Sequence, residues 1–248
     1  MNQIWLYSLI SVVIVSLISL IGVTLLSVKV EKLKKFLIFM LAFSAGALLG
    51  DVFIHIFPEV GATGFGLSSA LYVLLGILFF FVIEKFIHWQ HCHMPINKGH
   101  VHGFAKINLI GDSLHNFIDG LIIGASYLSS IPLGIATTLA IILHEIPQEI
   151  GDFGVLLHGG FSKWKAIGLN FITALTAVVG VIVALLIGNS VSGLSSILLP
   201  FAAGGFVYIA VADLIPELHK ETAIGRSLMQ LFAFILGIAV MALLLLME

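Results

Sequence analysis

Two groups of ionisable and amide side chains stand inside otherwise apolar sequence. The first holds Asp112, His115, Asn116 and Asp119; the second holds His144, Glu145, Gln148, Glu149 and Asp152. Imidazole with carboxylate is a donor set for zinc, iron, manganese and related ions, whereas magnesium and calcium take oxygen alone. On a helix, His115 and Asp119 share a face about 6 Å apart along the axis. Asp112 extends that face by a turn. His144 and Gln148 form a second such pair; Glu145 and Glu149 form a third, displaced by about 100° and prolonged by Asp152. If the two helices lie side by side, His115, Asp119, His144 and Gln148 converge on one ion. Asn116, Asp119, Glu145 and Glu149 then hold a second, with Asp119 as the bridge. The single cysteine, Cys92, excludes a disulfide framework and a four-cysteine zinc site. A donor set without thiolate, with neutral Gln148 in place of a third strong donor, suits a site that must release what it binds.

The elements that carry these groups belong to a membrane. The chain has 248 residues, 60% of them hydrophobic and only 10% charged, where soluble domains average roughly 25% charged. So few charges cannot cover a water-facing surface, so the expected solvent is lipid. A net charge of −2 without a basic patch argues against nucleic acid. The N-terminal stretch lacks a basic n-region and a small-residue cleavage site, and is expected to be a first span rather than a signal peptide.

Apolar runs of bilayer length, about 20 residues, fall near 4–28, 36–57, 67–88, 106–128, 132–157, 165–188, 195–218 and 227–247. Eight spans make one all-α transporter domain over 1–248: helices one to three in 1–88, a His-bearing loop in 89–105, helices four and five in 106–158, and helices six to eight in 163–248. Every Lys and Arg flanks the 1–2, 3–4, 5–6 or 7–8 connection. The positive-inside bias therefore predicts cytoplasmic placement of these loops and extracytoplasmic termini. Short loops without an ectodomain suggest a bacterial plasma membrane, with an organelle membrane left open.

An internal repeat is visible. Ala45-Gly46 followed by His55-Ile56-Phe57-Pro58-Glu59 aligns without gaps, at one constant offset, with Ala203-Gly204 followed by Asp213-Leu214-Ile215-Pro216-Glu217. The predicted topology sets the two copies in opposite orientation, the mark of an inverted-repeat transporter. Gly46 and Gly50 are spaced for close helix packing within the bundle or between protomers, which allows a homodimer.

Ionisable groups at the bilayer centre cost roughly 3 kcal/mol each even on lenient scales, so two spans rich in them predict function rather than helix glue. Pro147, in the middle of the second group, frees the Leu143 carbonyl from its helical donor. That carbonyl is expected to offer an extra oxygen ligand, and the kink a place to bend between access states.

The stretch His115-Asn116-Phe117-Ile118-Asp119-Gly120, followed by His144-Glu145-Ile146-Pro147-Gln148-Glu149-Ile150-Gly151-Asp152-Phe153, closely resembles helices four and five of ZIP zinc transporters. The second motif is most similar to the subfamily whose fifth helix reads His-Glu-x-Pro-His-Glu-x-Gly-Asp. The resemblance implies an inverted three-plus-two-plus-three arrangement, import toward the cytoplasm and a transport site, mononuclear or binuclear, between helices four and five. By motif position it implies His115, Asn116, Asp119, His144, Glu145 and Gln148 as ligands, with Glu149 adjacent. The cargo is then zinc or a similar divalent cation, carried rather than kept as a cofactor. Gln148 stands where that subfamily has histidine, and Asp119 where many relatives have glutamate, so iron, manganese and cadmium stay open beside zinc.

Accessory sites follow from position. Asp51, His55 and Glu59 lie on successive turns at the outer end of span two and are expected to gather cations at an entrance. Asp213, Glu217 and His219 at the inner end of span seven are the matching exit. Asp112, Asp152 and Asn170 are candidate accessory ligands, and Glu84 is expected to pair with Lys85 or Lys106. His91, His93, His100 and His102, with Cys92 between the first two, form candidate metal-capture tracts in the 3–4 loop. Uptake would be passive or proton-coupled. Two other classes remain open on sequence: an intramembrane metal-dependent hydrolase with Glu145 as base, and a proton- or sodium-coupled carrier that uses the same carboxylates without a metal.

Overall fold

The computed structural model describes residues 2–21, 30–62, 64–89, 103–188 and 193–247, which form helices and no strand. In chain order the helices are α1 (Asn2–Ile18), α2 (Val30–Gly50), α3 (Leu67–Trp89), α4 (Gly103–Ser129), α5 (Ile131–His158), α6 (Lys163–Ala174, resuming as Thr176–Gly188), α7 (Leu194–Tyr208) and α8 (Ile224–Leu244). Both α2 and α7 run on through a π-helical segment, Asp51–Ile56 and Ile209–Leu214, into a short α-helical end, Phe57–Ala62 and Ile215–His219. Seven helical stretches are long and apolar enough to cross a membrane. The remaining helix, α4, has 27 residues. It falls short on apolar character, because it carries Asp112, His115, Asn116 and Asp119.

Glycine decides which helices lock together. A Cβ on Gly46 of α2 would lie 2.1 Å from the Phe234 carbonyl oxygen of α8; one on Gly204 of α7 would lie 2.0 Å from that of Val73 in α3. Reciprocally, Gly237 of α8 sits against the Phe43 carbonyl and Gly76 of α3 against that of Phe201. Only a residue without a side chain permits such an approach. Gly46 and Gly50 both face α8 of their own chain, so that pair serves packing within the bundle.

In the other half, Gly120 of α4 meets Ala177 of α6, and Gly180 of α6 meets Phe117 of α4. Helix α1 joins them through Ser11 and Tyr127, whose hydroxyls are 2.8 Å apart, and through Ser16, which donates to the Ala174 carbonyl. Among the described residues, the glycine contacts that would bring a Cβ within 3.0 Å pair α2 with α8, α3 with α7, and α4 with α5 and α6. These groups meet one another through ordinary side chains.

Candidate metal centre

The chain reverses tightly between α4 and α5. The Ser130 side chain caps α5 by accepting from the Leu133 N–H at 3.2 Å, and Pro132 occupies the first turn where it loses no helical bond. This turn lays the two polar helices side by side.

Four donors then converge. The Nε2 atoms of His115 and His144 are 3.3 Å apart. Asp119 Oδ2 lies 3.4 Å from the first and 3.2 Å from the second, and Glu145 Oε1 lies 3.4 Å from each. All four atoms fall within 4.8 Å of one another, and all four residues are buried. Five of the six donor–donor edges are therefore nearly equal, and the sixth, between Asp119 and Glu145, is within 4.8 Å. The second ring nitrogen of His144, Nδ1, lies 3.2 Å from the Ala140 carbonyl oxygen. A proton held there leaves Nε2 as a lone-pair donor toward the centre.

The structure places Glu145 with both histidines and Asp119, and Gln148 on the lining of the cavity that adjoins the site. Backbone spacing put Glu145 on a different stripe, but its side chain, with two methylenes, reaches around the helix. The Leu143 carbonyl accepts a hydrogen bond from the Ser44 hydroxyl of α2.

Beside these four donors lies a second acidic group. Asn116 donates to Asp112 Oδ1 at 2.8 Å, and Asn170 donates to the Glu149 backbone carbonyl at 3.2 Å. Asp112 Oδ2, Asn116 Oδ1, both oxygens of Glu149 and Asn170 Oδ1 are buried without a hydrogen-bond partner. Buried acceptors without donors demand a cation or protons to offset their desolvation.

A cavity of about 280 Å³ leads away from His115 and His144. Asn108, Asp112, Gln148 and Asp152 line one wall; Glu84, Tyr208 and Asp213 line the other. Glu84 accepts a hydrogen bond from the Tyr208 hydroxyl across α3 and α7. Asn108 donates to Asp152 at 2.8 Å. The motif pattern does not single out Asn108, although it stands one turn before Asp112 on the same face. Nor does it single out Tyr208 and Ser44, because nothing in a lone hydroxyl announces its partner.

The remaining candidates are dispersed. Asp51 and His55 are buried, and His55 Nε2 lies 2.9 Å from the Met241 carbonyl oxygen. Glu59 is half-buried and accepts from Ser129. Asp213, Glu217 and His219 are exposed; Glu217 pairs with Lys220, and His219 borders a separate groove. His91, His93, His100 and His102 lie outside the described residues.

Comparison with known proteins agrees with this picture. The family model described as ZIP zinc transporter matches residues 2–106 and 102–245. The zinc transporter zipt-7.1 of Caenorhabditis briggsae is 35% identical over 86% of this chain and 72% of its own length. The zinc transporter ZIP13 of Pongo abelii is 38% identical over 82% of this chain and 65% of its own length. The ZIP13 homolog of Drosophila melanogaster is 30% identical over 96% of this chain and 88% of its own length. All three are named as zinc transporters, a non-enzymatic activity. Matched along nearly its whole length, and carrying a buried His/Asp/Glu cluster among membrane-spanning helices, the chain belongs to the ZIP zinc transporter family.

Proposed function

We propose that this protein imports a divalent transition metal, zinc first, toward the cytoplasm, with His115, Asp119, His144 and Glu145 holding the ion during passage. One observation carries the reading: five of the six donor–donor edges measure 3.2–3.4 Å. Tetrahedral zinc bound at about 2.0–2.1 Å requires edges of roughly 3.3–3.4 Å. Octahedral magnesium at about the same radius requires adjacent edges near 2.9 Å, and two imidazoles disfavour magnesium and calcium alike. The neighbouring oxygen-only group, Asn116, Asp112, Glu149 and Asn170, suits a second ion, with Gln148 and Asp152 on the way out.

The direction rests on charge. The cavity below the site is lined by Glu84 and Asn108, near Lys85 and Lys106 at the ends of α3 and α4, on the side where every basic residue falls. The positive-inside bias makes that side cytoplasmic and gives eight spans with extracytoplasmic termini. The two π-helical segments support an inverted repeat, since Asp51–Ile56 and Ile209–Leu214 stand at the same offset as Ala45-Gly46 and Ala203-Gly204. The reciprocal α2–α8 and α3–α7 glycine contacts support it as well. Glycine-locked helix groups meeting one another through side chains suit a carrier whose bundles rock about the metal.

The test is radiozinc uptake into proteoliposomes by wild type, His115→Ala and Glu145→Ala. Flux by wild type that is lost in both variants supports the proposal. Metal retained without flux points to a hydrolase, and absence of both binding and flux points to a proton or sodium carrier. Protons compete for the same nitrogens and oxygens, so initial uptake should also fall as pH is lowered. A flat profile measured on intact protein would count against these ligands.

A further inference from the structure

We propose that Ser44 is a positioning residue of the transport site, its hydroxyl replacing the main-chain donor that Pro147 removes from the Leu143 carbonyl. Within a regular helix that carbonyl would accept from the N–H of residue 147, and proline has none. The oxygen is the one left over by the kink, and Ser44 donates to it. Ser44 is fully buried. A serine in the middle of a helix ordinarily turns its hydroxyl back to its own preceding turn; here it reaches across to α5.

The two internal halves of the chain make the match specific. At the position of α7 that corresponds to Ser44 the residue is Ala202, also fully buried. The polar helix packed on α7 is α4, which contains no proline. The hydroxyl is present where the donor is missing and absent where none is needed.

What the bond holds is the peptide group between Leu143 and His144. That group leads directly into the imidazole whose Nε2 lies 3.2 Å from Asp119 and 3.3 Å from His115. Fixing its plane fixes where the His144 ring starts. The bond also runs between glycine-locked groups, joining α2, which is locked to α8, to the metal-bearing α5, which is locked to α4. If the bundles rock as proposed above, this contact must be broken or carried along, and Ser44 then reports the state of the carrier.

The experiment is a double-mutant cycle of Ser44→Ala and Pro147→Ala, read by equilibrium zinc binding and by thermal midpoint of the purified full chain. Ser44→Ala alone should weaken zinc binding by about fivefold, the size of one lost hydrogen bond, and lower the midpoint. Pro147→Ala restores a main-chain N–H to Leu143, so Ser44→Ala added to it should cost little in either readout. Should Ser44→Ala fail to fold, recovery of folded protein in the double variant supports the proposal, and failure of the double variant beside a folded Pro147→Ala overturns it. Equal losses from Ser44→Ala in both backgrounds, or no loss in either, overturn it as well. Neither readout needs transport, so absence of zinc flux in wild type would sink the importer reading and leave this cycle interpretable.

Discussion

Asp119→Asn should weaken zinc binding by roughly 100-fold, about 2.7 kcal/mol, and cut uptake in proportion. Its Oδ2 is the group that touches both imidazoles, at 3.4 and 3.2 Å, and the residue is fully buried. Neither carboxylate oxygen has a hydrogen-bond partner, and the groups beside Oδ2 are the two ring nitrogens with which it would share an ion. Asparagine keeps the shape but removes the charge that offsets a divalent ion, and leaves Glu145 as the only carboxylate of the four. The direct readout is zinc-induced thermal stabilisation: wild type should gain with ligand concentration as binding to the folded state requires, and the variant should not. Asp119→Glu, which keeps the charge, should recover most of the binding. An asparagine variant with wild-type affinity would remove Asp119 from the site.

Gly120→Val should be the most damaging change outside the metal centre. A Cβ there would lie 1.9 Å from the Ala177 carbonyl oxygen and 2.9 Å from its Cα, and backbone cannot step aside as a flexible side chain can. Helices α4 and α6 would have to part, carrying His115 and Asp119 away from α5. Overpacking of this kind costs roughly 1–3 kcal/mol or more, so the variant should either fail to accumulate or melt well below wild type. Gly168→Ala in α6 is the control. Its Cβ would meet nothing within 4 Å, and alanine is the better helix former by up to about 1 kcal/mol. A Gly120→Val protein as stable as the Gly168→Ala control would show that this crossing can relax.

The residues on α4 and α5 show what a linear pattern reveals. His115 with Asp119 was readable as a metal-binding pair because a one-turn spacing already puts two side chains on one face. That Glu145 reaches both histidines was not readable from spacing, since reach around a helix depends on side-chain length and on how the helices pack. Asp51 and His55 look from sequence like a mouth at a helix end; in the fold both are buried, and His55 meets the Met241 carbonyl of α8. Glu84 illustrates the same gap. Its nearest basic residues in sequence suggested an ion pair, while the fold gives it the hydroxyl of Tyr208 from a distant helix.

The sequence by itself determined that the chain is helical and apolar enough for a membrane, and the kinds of atom offered to a metal. In lipid every backbone group must bond within its own segment, so apolar length and a 3.6-residue period fix each helix locally. Tertiary structure alone decided which faces meet: the glycine crossings, the approach of Glu145 to both histidines and the serine that answers a proline. Those contacts join residues far apart in the chain, and their formation depends on ångström-scale approach between backbones that no local pattern encodes.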